Sequence, residues 1–475
     1  MKDKFTTTDF TYDEISKLQR VIELSIKDPR NKALITYPLS VIATVIILAR
    51  MAGHNNMRAI FEYCSVNIKK LQKIIYGLGD EIPTPQTFRR VTTILNTDNL
   101  IDILTNFFVD TCIRKVFDDT SVNIFERDLI SCDGQNIRAT RSSVNDGDRR
   151  KSAGYDIVQM YSSKYGITIA QQVVDKKNQE SRAIIEMLKY VNVKNTILAW
   201  DAINTHISTM SAVIEAGGDF LCSLKRNQKL TLEEVSFAFQ HRDNDYLMQD
   251  DKVLSEHGRI EQRHIEILPA EIALSKENQR KFKHVKSIIR VQKSVTKKIS
   301  IGTNERPAKS ELFYISSIEV DFDDDTFVAK MDDLIRSRWA VEVDHFIIDV
   351  NFDQDRIPLR NRDYIYNSVY FTKIAKNVLK FAQDAIAEFT GKTPPSIRAL
   401  QHACNDINAS FDFLMAYIKN DKSMVMEVEA IYNYGLVKKE ELIIEDNYEP
   451  PVKVPKNRLE AIALYGAKKA KELGF

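Results

Sequence analysis

Leu129-Ile130-Ser131-Cys132-Asp133-Gly134-Gln135 and, further on, Ile197-Leu198-Ala199-Trp200-Asp201-Ala202 decide how this chain reads. Each is a short apolar run stopped by an aspartate, as a buried strand ending in a turn should be. Between them, residues 155–161 and 167–174 have strand composition and are joined by a turn at Lys164-Tyr165-Gly166. Residues 181–191 have a helical period, and residues 205–216 form a helix closed by Gly217-Gly218. Residues 220–224 return to strand. The order of three strands, helix, strand, helix, strand indicates an α/β core.

The two aspartates then gain meaning. Strand ends of an open α/β sheet are where catalytic groups collect. Glu342 lies further on, in a helix expected from 331 to about 349. Three carboxylates brought together make a hard oxygen-donor site suited to Mg²⁺. Two such ions can activate a water or a 3′-hydroxyl and stabilise the leaving oxygen of a phosphodiester. Spacing alone does not single out this triple, because the chain has 66 acidic residues. An Asp before a Gly also serves as a plain turn former.

Working outward, residues 12 to about 125 read as helical. Ile42, Val45, Ile46 and Ile47 sit in a strongly apolar helix ending near Gly53. The apolar stretch 39–49 is too short to span a bilayer and reads as a buried core helix. Thr84 caps a helix with Pro85 in its first turn and an apolar stripe of Phe88, Val91 and Leu95. Arg89 and Arg90 share its other face, which is either a groove-entering surface or a solvated one. Residues 245–320 read as a strand-rich insertion in which 259–268 and 284–295 alternate charged and apolar residues. Arg290, Lys293, Lys297 and Lys298 make it basic, so it suits either phosphate contact or solubility. Pro394-Pro395 opens a last helical segment, and Lys468, Lys469 and Lys471 lie in the tail.

Several of these pieces, in this order, resemble the H-repeat-associated (ISAs-type) transposases, a DDE family of bacterial insertion sequences. The resemblance runs from about residue 39 to about residue 380. The first quoted stretch looks like the family's strand-Asp-Gly-Lys opening, and Leu198-Ala199-Trp200-Asp201-Ala202 like its second-Asp strand. Gly217-Gly218-Asp219-Phe220 and Leu224-Lys225-Arg226-Asn227-Gln228 match its Gly-Gly-Asp and Leu-Lys-x-Asn-Gln segment. His257-Gly258-Arg259-Ile260-Glu261-Gln262-Arg263 matches a further motif. So do Phe313-Tyr314-Ile315-Ser316-Ser317 and Arg336-Ser337-Arg338-Trp339-Ala340-Val341-Glu342. Ile82-Pro83-Thr84-Pro85-Gln86-Thr87-Phe88 is similar to the family's N-terminal associated domain.

The resemblance implies an RNase H-like catalytic core at 126–390, preceded by a helical N-terminal domain at 1–125 for DNA ends. A helical extension of open role follows at 391–475. It implies two Mg²⁺ or Mn²⁺ ions on Asp133, Asp201 and Glu342, with terminal inverted repeats and target DNA as partners of a homo-oligomer. Arg338, four residues before Glu342 and so on the same helix face, is a candidate for the scissile phosphate. Lys225, Asn227 and Arg259 are further DNA candidates, with His257 beside Arg259. Trp339 reads as a core residue or a base-stacking one, and His345 as a surface or core histidine. Two positions depart from the family: Gln135 replaces its Lys, and Val343 its Asn. They keep open a cleavage-inactive DNA-binding relic or regulator, while a nuclease without strand transfer is a third reading.

Composition bounds the rest. The 475 residues, 44% hydrophobic and 28% charged, fit an ordinary globular chain of two to four domains. A net charge of +1 means that any DNA surface is a local patch. Five scattered cysteines without C-x-x-C spacing argue against disulfides and zinc and fit a reducing cytoplasm. The first residues lack the apolar core of a signal peptide.

Overall fold

A computed structural model describes residues 19, 22–23, 28–95, 123–138, 154–174, 179–241, 244–256, 258–297, 307–356 and 361–438. His257, Lys298 and the tail lysines lie outside them. Among the described residues, nine strands form one sheet. They are β1 (Leu129–Ile137), β2 (Tyr155–Ser162), β3 (Ile167–Val174), β4 (Ile197–Trp200), β5 (Asp219–Leu224), β6 (Met248–Glu256), β7 (Arg259–Pro269), β8 (Ser287–Lys297) and β9 (Ala308–Ser316). Their spatial order is β3-β2-β1-β4-β5-β9-β8-β7-β6. β1, β4 and β5 are parallel neighbours, and every other pairing is antiparallel.

The helices used below are α1 (Leu39–Met51), α2 (Pro85–Ile94), α3 (Glu180–Met187), α4 (Ile207–Glu215), α5 (Lys229–Gln240), α6 (Phe327–Ser337), α7 (Ala340–Asn351), α8 (Arg362–Thr390) and α9 (Ile407–Lys419). Parallel neighbours need crossovers. α3 stands between β3 and β4, and α4 between β4 and β5. Gly217, at φ +83°, lets the chain turn out of α4 into β5, a conformation that L side chains rarely adopt.

The period of two along the strands sorts the sheet into two faces. Ile130, Cys132, Leu198, Trp200, Phe220 and Cys222 pack with residues of α3, α4 and α5. Leu129, Ile197, Ala199, Leu221, Ile265 and Ile289 pack under α6. A third core, against the β1–β3 side of the sheet, gathers helices from both ends of the sequence around α8: α1 and α2 from one side, α9 from the other. All thirteen residues of α1 are buried, as its largely apolar sequence requires. Arg50 is buried too, where its guanidinium donates to Thr372 Oγ1 and Ser368 Oγ. Thr84 caps α2 by accepting from the Thr87 amide at 3.3 Å, and Phe88, Val91 and Leu95 are buried.

Two expectations change. The strand expected to stop at Asp133-Gly134 runs on to Ile137, paired with β2. The helix expected over 331–349 is broken into α6 and α7 at Arg338-Trp339. There, i→i+3 bonds (Trp339 N to Arg336 O, 3.1 Å; Glu342 N to Trp339 O, 3.0 Å) tighten the chain and turn it.

Sheet register also shows an overhang. Leu224, the last residue of β5, stands level with Phe313, Arg290 and Glu266. β7 continues seven residues beyond that level to Arg259, which is about 23 Å of strand. The four-stranded arm therefore projects past the ends of β4 and β5.

Candidate active site

Asp133 and Asp201 are placed by strand register. Cys132 pairs with Trp200 across the parallel β1–β4 ladder, so the next residues, Asp133 and Asp201, stand level where β4 ends, while β1 runs on beside β2 to Ile137. By alternation both belong to the face that carries Leu129, Ile197 and Ala199, the face under α6 and α7. Asp133 Oδ1 accepts from the Gly134 amide at 2.9 Å, and Asp201 Oδ1 from Asn204 Nδ2 at 3.2 Å.

Glu342 comes from α7, which crosses that face. Burial pushes the Asp133 carboxyl up to about 6. The negative charges of Asp201 and Glu342 add to the push, while the Gly134 amide and Arg338 oppose it. The three acids and Arg338 thus share one electrostatic neighbourhood. Glu342 is exposed; partial burial raises its carboxyl, and Arg338 pulls it back down. Among the described residues, no three Asp, Glu, His or Cys side chains close on one point tightly enough to hold a metal ion. The donor set nonetheless fits a hard cation: all oxygens, with two carboxylates crowding a third.

α7 is pinned to α8 by buried charge and to the sheet by hydrogen bonds. Asp344 receives Lys373 Nζ at 2.9 Å and Lys376 Nζ at 2.6 Å, and all three side chains are essentially inaccessible. Gln159 Nε2 of β2 donates to the same carboxylate at 3.2 Å. Gln135 Nε2 donates to Asp349 Oδ1 at 2.8 Å, so the residue that replaces the family's lysine ties β1 to α7. His345 Nδ1 stands 3.8 Å from Asp133 Oδ2, and burial lowers its pKa to about 4, leaving it neutral at pH 7.

The other candidates divide. The Arg338 guanidinium lies 5.0 Å from the centre of the Trp339 ring, and its buried Nε has no hydrogen-bond partner among the described residues. Because α6 ends before it, Arg338 reaches Glu342 across a turn rather than along one helix. Trp339 is 47% exposed, so it is not a core residue; the core tryptophan is Trp200. With Val343, Phe346 and Val350 it forms an exposed apolar stripe on α7. Lys225 is exposed just beyond β5, at the same end of the sheet. Asn227 spends its amide on the Ala202 carbonyl at 2.5 Å, and Gln228 Nε2 donates to Thr205 O at 2.7 Å; both brace the loop behind Asp201. Arg259 is exposed at the tip of the overhang, opposite Lys297, and alternation puts both on the face of Asp133. Arg89 and Arg90 are exposed on the outer face of α2, away from the acids in sequence and packing.

Sequence reading missed Glu180, the buried first residue of α3. Its Oε2 accepts from Asn204 Nδ2 at 2.7 Å. Nothing in its spacing marks it. The one available signal is that a glutamate opening an amphipathic helix belongs on the solvent side, and this one is turned inward.

With this geometry in place, the comparisons give the class. Residues 124–378 match the Transposase DDE domain, and residues 24–108 match the DDE_Tnp_1-associated family. The first match alone covers more than half of the chain, which therefore belongs to the DDE transposase-domain family. The chain is 26% identical over 359 residues to Putative protein YbfL of Escherichia coli (strain K12), covering 73% of this chain and 86% of that one. H repeat-associated putative transposase YhhI of the same strain is 26% identical over 359 residues, with the same coverage of 73% and 86%. Putative transposase YncI of Escherichia coli O157:H7 is 25% identical over 373 residues, 76% and 86% of the two chains. The solved piggyBac transposase synaptic complex with hairpin DNA overlaps 92% of this chain and 83% of its own, at 12% identity and a TM-score of 0.38, too low to carry an assignment. No helix among the described residues is long and apolar enough to cross a membrane.

Proposed function

We propose that this protein cuts and joins DNA at the terminal inverted repeats of an insertion sequence, using Asp133, Asp201 and Glu342 as metal-binding carboxylates on an RNase H-like core. The observation that carries this reading is the placement of Asp133. It stands level with Asp201 where the parallel β1–β4 pairing ends, and within the electrostatic reach of Glu342 and Arg338. The strand order β3-β2-β1-β4-β5, with only β2 reversed, supports the RNase H-like assignment.

Two divalent ions on these carboxylates would activate the attacking water or 3′-hydroxyl and stabilise the leaving oxygen. Asp133 acts from within β1 and Asp201 from the end of β4, whereas Glu342 acts from an exposed position on α7. Arg338, with an unpartnered Nε, binds the scissile phosphate. Trp339 and the apolar stripe beside it contact unstacked bases or sugar. Lys225 meets phosphate at the sheet end, and Arg259 on the overhanging arm meets phosphate farther along the duplex. Asn227 acts on DNA through the loop that it braces, and Arg89 and Arg90 contact the repeat from α2. A homo-oligomer assembled on DNA, at the nucleoid, follows from the same reading.

The test uses a duplex carrying the element's end, with Mg²⁺. Wild type cleaves it and joins a pre-cut end to target DNA; D133A binds it equally and does neither. Cleavage by D133A refutes the site. Hydrolysis without joining leaves a nuclease.

A further inference from the structure

The acids at the front of the sheet have a support behind it. α3 lies on the opposite face from α7, and Glu180, its first residue, is turned inward and is only 4% exposed. An acidic residue at a helix start gains from the helix dipole while staying in water. Burying the carboxylate costs free energy unless it is hydrogen-bonded, so its partners explain its place.

Those partners lead to Asp201. Asn204 closes the 3₁₀ turn that follows β4, and it is 4% exposed. Its side-chain NH₂ donates to Glu180 Oε2 at 2.7 Å and to Asp201 Oδ1 at 3.2 Å. An amide NH₂ has two protons, one for each carboxylate. The shorter bond fixes the amide plane, and the amide plane then fixes which Asp201 oxygen is held and where.

The other carboxylate oxygen of Glu180 sits against β1. A Cβ added at Gly134 would lie 2.6 Å from Glu180 Oε1, closer than real contacts allow. Gly134 follows Asp133, and its missing side chain leaves room for the Glu180 carboxylate. One carboxylate therefore touches the strand that carries Asp133 and, through one amide, the loop that carries Asp201.

We infer that Glu180 is a positioning residue for the candidate site, holding Asp201 through Asn204 and setting its spacing from Asp133 across Gly134. The Gly of the Asp-Gly pair, which lies inside β1 and not in a turn, is then a requirement of the site. This inference rests on the functional reading above. Loss of such outer partners typically lowers metal affinity or activity roughly 10–100-fold.

The experiment compares wild type, D133N, E180A, E180Q, N204A, G134A and G134A/E180A. Measurements are end cleavage over a Mg²⁺ series, DNA affinity, and melting temperature with and without Mg²⁺. E180A and N204A should cleave roughly 10–100-fold more slowly, need more Mg²⁺, show a smaller Mg²⁺-induced melting shift and bind DNA like wild type. E180Q, which keeps an oxygen acceptor for Asn204, should recover most of the rate, and it carries the test if E180A does not fold. G134A should lower the melting temperature in wild type and leave it nearly unchanged in the E180A background. If wild type cleaves, D133N does not, and E180A and N204A match wild type, this inference alone is overturned. If wild type does not cleave, the functional reading fails. The melting cycle still decides the contact, since an equal G134A loss in both backgrounds rules it out.

Discussion

Asp344→Asn tests whether buried charge holds α7 in place. Asp344 pairs with both Lys373 Nζ at 2.9 Å and Lys376 Nζ at 2.6 Å, and Asp349 acts on Lys373 from farther off. At an effective dielectric of about 20, each contact is worth about 6 kcal/mol before desolvation is subtracted. Removing one partner of such a cluster leaves uncompensated buried charge and typically costs about 3–5 kcal/mol. Urea unfolding of D344N should show a loss of that size. The loss should also shrink as pH rises. Lys373 already has a pKa lowered by burial, and without Asp344 it falls further below the unfolded value of about 10.4. A lysine whose folded pKa is depressed sheds its proton in the fold first, so stability is regained as pH climbs toward the unfolded value. Replacing all three residues by apolar ones of similar volume should restore most of the stability. A D344N loss below about 1 kcal/mol, or one independent of pH, refutes the argument that these charges are buried together.

Three further outcomes follow from the same geometry. Millimolar Mg²⁺ should raise the melting temperature of wild type but not of D133N, because a ligand that binds only the folded site stabilises it by mass action; calorimetric scans decide it. Burial pushes the Asp412 carboxyl up to about 7, with Asp406 and Glu427 adding. Its contribution is therefore fully present below about 4 and lost as pH rises through 7, so D412N should melt higher than wild type at pH 8 and with it at pH 3. Converting Arg259 and Lys297 to Ala should flatten the salt dependence of DNA binding by about one unit of slope per side chain without altering the fold, as read by filter binding across a salt series.

The core was legible because its signals are local. Apolar runs ending in Asp133 and Asp201, and the glycine exit after α4, fix strands and direction without tertiary context. Phe88, Val91 and Leu95 identified the buried stripe of α2 by period alone. What stayed hidden depended on contacts distant in sequence. Residues 331–349 carry an uninterrupted helical pattern, and the break at Arg338-Trp339 follows from i→i+3 bonding that no spacing encodes. Trp339 was read mainly as a core residue because tryptophans usually are; its exposure depends on how α7 lies over the sheet. Glu180 was invisible because its role needs Gly134 and Asn204 beside it. That β6–β9 extend the main sheet was not legible either, because strand patterning does not say which sheet a strand joins.

The burial of α1 has a consequence for synthesis. Arg50 meets Ser368 and Thr372, 318 and 322 residues later in the chain. At about 5–20 residues per second, α1 emerges from the ribosome about 15–65 s before the helix that covers it. For that interval α1, with its buried Arg50, lacks the helix that covers that arginine, although nearer helices of the same core have already emerged. The nascent chain is therefore a natural client for a holding chaperone, and slowing translation between α1 and α8 should cost yield rather than specific activity.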